Sequence, residues 1–169
     1  MKSLSTKFPA SLALAATLVL VGCGDEATTV VYDRPADVAG PYVVDWTLQV
    51  LRRSDGFQTQ FTCRGQMTLR QGAPTAGVAS LTGFAVVAPP CDPESYDLTG
   101  TLTSSGAVEF TTGGPSPTAG PCPGGRNVRF SGLFRSSGSS MTLSARGVTE
   151  VTCPDFGVHE FSYLVSARR

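Results

Sequence analysis

The chain has 169 residues, with 19 Gly and 12 Pro, 41% hydrophobic residues and only 15% charged ones. One domain of that length, rich in turn formers, excludes a long helical bundle; its apolar share excludes a disordered chain, and no G-X-Y period supports a collagen. Thirteen Lys plus Arg balance thirteen Asp plus Glu, so the basic footprint of a nucleic-acid binder is absent.

Residues 1–22 read as a signal peptide. Lys2 and Lys7 supply a positive start, and Ala10 to Val21 is uncharged and apolar, too short for the roughly 20 residues that span a bilayer but right for a cleaved hydrophobic region. Leu20-Val21-Gly22-Cys23 follows directly and resembles the lipobox of bacterial lipoproteins. The resemblance implies a diacylglycerol on the Cys23 thiol, cleavage before Cys23, and an acyl group such as palmitate on the new amino terminus. In similar lipoproteins of some diderm bacteria, Asp directly after the Cys retains the protein in the inner membrane. Gly24 stands there, which points to the outer membrane. Both lysines leave with the signal, so eleven Arg face thirteen acidic residues; without a polybasic patch, membrane attachment rests on the acyl chains.

Residues 23–39 are mixed, partly acidic and interrupted by Pro35, which predicts a lipidated tether. From Gly40 the pattern changes to period two. Tyr42, Val44, Trp46, Leu48 and Val50 alternate with more polar positions, the signature of a strand with one buried face. Phe61, Cys63, Gly65, Met67 and Leu69 repeat it, whereas Ala79 to Ala88 is more uniformly apolar and ends at Pro89-Pro90. Tyr96 to Leu102 and Ala107 to Thr112 form a hairpin across Ser104-Ser105-Gly106, and a long Gly/Pro-rich loop spans Gly113 to Asn127. Val128 to Phe134, Met141 to Ala145 and Phe161 to Ala167 complete the set.

Eight strands with short connections and no amphipathic helix predict an all-β domain over 40–169: an antiparallel up-and-down barrel, which leaves no open edge. A two-sheet sandwich is the alternative. Gly65, Gly83, Gly100 and Gly132 inside strands fit the bends of a small barrel. Apart from Cys23, the cysteines are Cys63, Cys91, Cys122 and Cys153; four in an exported chain predict disulfides, with three connectivities available. In a meander all four fall toward one end of the barrel, which favours Cys63 with Cys91 and Cys122 with Cys153.

Gly40-Pro41-Tyr42, Asp45-Trp46-Thr47-Leu48 and the terminal Arg168-Arg169 are where the chain resembles a lipocalin-like barrel. Lipocalins carry Gly-x-Trp at the first strand, its aromatic covered by an Arg from the end of the barrel. Here Tyr42 takes the place of that Trp, or Trp46 takes its aromatic role. The body is also similar in style to the small Gly/Ser/Thr-rich β-domains of bacterial lipoproteins. The resemblance implies the barrel and carries no catalytic residue.

Candidate chemistry is sparse. His159 is the sole histidine, placed before the last strand beside Glu160; with no recognisable nucleophile motif it reads as a surface residue. Asp92, Glu94 and Asp97 lack calcium-loop spacing and read as a solvated turn. Arg64 with Arg70, and Arg129 with Arg135, read as dispersed solubilising charge. A small apolar ligand would have to enter the barrel, where Trp46, Phe61, Met67, Tyr96, Phe130, Phe134, Phe161 and Tyr163 line a candidate cavity or fill the core. The expected function is that of a non-enzymatic, membrane-tethered envelope lipoprotein of structural or recognition type, with no cofactor or metal. A lipocalin-like carrier of a small apolar ligand and a hydrolase with an unrecognised site are the alternatives.

Overall fold

The computed structural model describes residues 34–89, 91, 95–114, 125–154 and 156–169. Cys23 with the expected signal and lipobox, Cys122, Asp92 and Glu94 lie outside the described residues. Eight strands follow one another: β1 (Gly40–Arg52), β2 (Gln58–Gln71), β3 (Val78–Val87), β4 (Ser95–Thr103), β5 (Ala107–Gly113), β6 (Arg129–Ser137), β7 (Ser140–Cys153) and β8 (Gly157–Arg168). Each pairs antiparallel with the next, and β1 pairs with β8, so the sheet closes into an up-and-down barrel. Closure excludes the sandwich.

Alternation sets the two faces. On β1 the inward row Tyr42, Val44, Trp46 and Leu48 is buried, and β8 supplies Phe161, Tyr163, Val165 and Ala167 beside it. The outward rows carry residues such as Thr62, Arg64 and Gln66 on β2, and Thr99 and Thr101 on β4. That is the reverse of a transmembrane barrel, whose outer band is apolar.

Strand glycines permit the tight curvature. A Cβ on Gly100 would lie 2.1 Å from the Glu109 carbonyl oxygen, and one on Gly132 would lie 2.2 Å from that of Ser144. Neighbouring backbones occupy the space a side chain would need.

The two ends differ. At the end where β1 begins, residues 34–39, expected as the last part of the tether, fold over the barrel and bury Val38. The Val38 amide donates to Gln71 Oε1 at 2.9 Å, and the Tyr42 hydroxyl donates to the Val38 carbonyl at 2.8 Å. At the opposite end, β1, β2, β7 and β8 reach beyond the shorter β3 to β6. Cys63 and Cys91 are joined there, with Cα atoms 5.9 Å apart. Cys153 is also disulfide-bonded.

Candidate functional site

The interior is the first place to look for a ligand. Trp46 sits at its centre with no solvent exposure, meeting the Tyr96 ring edge-on at 5.0 Å and the Phe130 ring at 5.1 Å. Phe130 stacks on Phe110 at 4.9 Å and meets Tyr163 at 5.7 Å. Offset and edge-to-face pairs of this kind are favourable beyond the apolar area they bury. Met67, Phe134 and Phe161 are buried in the same cluster, and Phe61 packs against it half-buried. The residues proposed to line a cavity thus meet one another. Between Met67, Leu81, Leu98, Phe110, Phe134 and Leu143 a void of about 10 Å³ is left, room for at most about one water.

Two polar atoms of this core stand out. Trp46 Nε1 and Tyr96 Oη are buried without a hydrogen-bond partner among the described residues. Burial drives the Tyr96 phenol pKa far above its ordinary value of 10.0, because the low-dielectric interior penalises the phenolate. Tyr96 is therefore a neutral core residue with no acid–base role near neutral pH.

His159 is not a surface residue. β8 begins at Gly157, which puts His159 in the inward phase with Phe161 and Tyr163; it is only 8% exposed. Its Nδ1 lies 3.0 Å from the Gly157 carbonyl oxygen and its ring 6.5 Å from that of Phe161. Arg52 is its register partner on β1. The Arg52 guanidinium is stacked by Phe57 at 5.0 Å and Phe156 at 5.6 Å, and pairs with Asp55 at 3.4 Å. The extended rim of the barrel is thus held by its own cation–π contacts. Among the described residues, no group of three His, Cys, Asp or Glu side chains is placed to hold a metal ion.

Room exists on the outside. A concavity of about 520 Å³ lies on the outer face of β2, β1, β8 and β7, bordered by Thr47, Gln49, Gln60, Arg146, Val148, Ser162 and Leu164. Its floor is a polar ladder, in which the Thr47 and Thr62 hydroxyls are 3.1 Å apart and the Gln49 amide donates to Gln60 at 3.0 Å. On the outer face of β1 and β3, Val43, Phe84 and Val86 expose 53%, 47% and 44% of their surface. The latter two are the outward residues that made β3 read as uniformly apolar, the one sequence signal for this patch. Arg64, Arg70, Arg129 and Arg135 project outward and exposed, as their strand phase predicts.

No protein-family model matches the chain, and no curated protein matches it in sequence. Among solved structures, the chain is similar to the attachment invasion locus protein Ail of Yersinia pestis, crystallised with the heparin analogue sucrose octasulfate. The identity is 11%, over 78% of this chain and 99% of that one, with a TM-score of 0.23.

Proposed function

We propose that this protein is a membrane-tethered lipoprotein of the bacterial cell envelope, with a non-enzymatic barrel of structural or recognition type that works through its outer surface. The observation that carries the reading is the filled interior. A void of about 10 Å³ between Met67, Leu98 and Phe110 is far below the roughly 300 Å³ at which small-molecule pockets begin, and the packed rings of Trp46, Tyr96 and Phe130 favour a solid core over a carrier's cavity. The polar outer rows support a barrel that stands in water beside a membrane, held through acyl chains on Cys23. The same reading expects outer-membrane placement in a diderm host, from Gly24 after the modified cysteine.

Two measurements test it. Growth with an alkyne fatty acid should label the wild-type chain and leave Cys23→Ala unlabelled and unprocessed; a label that survives the substitution overturns the anchor. Titration of the purified barrel with a fluorescent fatty acid should give no saturable binding. Stoichiometric, competable uptake would overturn the solid-core reading and restore the carrier.

A further inference from the structure

The exposed apolar residues on the outer flank of β1 and β3 lie on either side of β2, whose Gln66 and Thr68 stand between them. On one rung Arg168, Val43, Gln66 and Val86 are successive register partners, and on the next Pro41, Thr68, Phe84 and Asp97. With strands about 4.8 Å apart and residues about 3.3 Å apart along them, Val43, Val86 and Phe84 fall within roughly 12 Å of one another. Single exposed apolar residues are ordinary, but three grouped on one flank indicate a contact surface. Exposed Arg64, Arg70 and Arg168 border it. Of the neighbouring carboxylates, Asp45 is paired with Arg64 at 3.2 Å and Asp97 adjoins Phe84.

The patch starts where the chain toward Cys23 meets the barrel. Pro41 and Val43 are on the first residues of β1, directly after the strap 34–39. Only residues 24–33 separate Cys23 from that strap, a stretch that spans at most about 35 Å when extended. An acylated Cys23 therefore keeps the barrel within that reach of the bilayer, and tethering lets a weak surface act at high effective concentration.

We infer that the flank centred on Val43, Phe84 and Val86 lies against the lipid headgroup layer of the anchoring membrane, its apolar side chains at the acyl boundary and its arginines among the phosphates. The inference rests on the anchor reading above. It gives the barrel a defined orientation: the outer face of β7, with Val148, is turned away from the bilayer, because β7 lies four strands from β3 in a ring of eight.

The test uses the acylated protein in phosphatidylethanolamine–phosphatidylglycerol vesicles with brominated acyl chains. Two exposed reporters, Phe84→Trp on β3 and Val148→Trp on β7, sit on opposite flanks; Val148 is 62% exposed. Wild-type Trp46, enclosed in the core, supplies the baseline. The expected result is a blue shift and loss of the added emission for Phe84→Trp, with Val148→Trp unchanged. Vesicle-bound protein in which neither reporter is quenched, or both are quenched equally, overturns the docking and leaves the anchor intact. A concentration-dependent blue shift of Phe84→Trp without quenching overturns it in favour of self-association. A chain that takes no acyl label and does not float with vesicles overturns the anchor, and the docking with it.

Discussion

The guanidinium of Arg169 covers the ring of Tyr42 at 5.5 Å while donating hydrogen bonds to the carbonyls of Asp37, at 2.7 Å, and Ala39. One C-terminal side chain thus ties the strap 34–39 to the first strand, and the Arg169 backbone pairs with Met141 on β7. In the lipocalin-like resemblance an Arg covers the aromatic of the first strand. Here Tyr42 is the covered ring, and Trp46 has a separate role in the core.

Arg169→Ala should cost about 1–3 kcal/mol, from loss of charged hydrogen bonds and a cation–π contact. Arg169→Lys should recover only part of it, because an ammonium lacks the planar fork that serves two carbonyls and a ring together. Urea unfolding of the three proteins checks this; equal stability of the alanine variant would show that the strap holds without Arg169.

Trp46→Ala should destabilise the barrel by about 3–5 kcal/mol, since it empties the centre of a packed aromatic cluster. Wild-type emission should be blue-shifted and resist a soluble quencher. A solvent-exposed spectrum would contradict the inward row of β1.

Stability should fall above about pH 10. Burial raises the phenol pKa of both Tyr42 and Tyr96 above the ordinary 10.0, with Arg169 partly opposing the rise at Tyr42. The folded state thus keeps protons that the unfolded chain releases, so the contribution is complete below the unfolded value and is lost as pH rises past it. For Tyr96 the slope approaches about 1.4 kcal/mol per pH unit. Tyr96→Phe should flatten the alkaline limb and gain about 1 kcal/mol at neutral pH, because it removes an unpartnered buried hydroxyl. Urea midpoints measured from pH 8 to 11 decide it, and an unchanged alkaline limb in the variant would contradict the assignment.

Gly100→Ala should cost about 1–3 kcal/mol as an overpacking change, toward the upper end because the obstruction is the Glu109 backbone rather than a flexible side chain. Thermal unfolding reads the loss. A neutral result would mean that β4 and β5 can separate without penalty.

Reducing the Cys63 to Cys91 bridge should remove about 3–4 kcal/mol for a loop of that length in the chain-entropy treatment, and Cys63→Ser with Cys91→Ser should lose the same amount. Non-reducing peptide mapping should recover the linked Cys63 and Cys91 peptides and identify the partner of Cys153. Free thiols at both 63 and 91 would contradict the bridge.

Strand content, strand phase and barrel class were legible from the amino-acid order alone, because period-two alternation is local and each Gly/Ser or Gly/Pro turn marks its own boundary. The meander count also brought Cys63 and Cys91 to one end, since antiparallel succession fixes which connections share a rim. Other properties depended on residues distant in sequence. Whether Trp46, Phe130 and Tyr163 enclose a space or fill it depends on how rings from β1, β6 and β8 interlock, and alternation says only that they point inward. His159 changed from surface to core because β8 starts at Gly157, four residues before the apolar run that marks the strand in sequence. The closure by Arg169 joins positions more than a hundred residues apart. The grouping of Val43, Phe84 and Val86 on one flank exists only because register places β1 and β3 on either side of β2 with their outward apolar residues at matching levels.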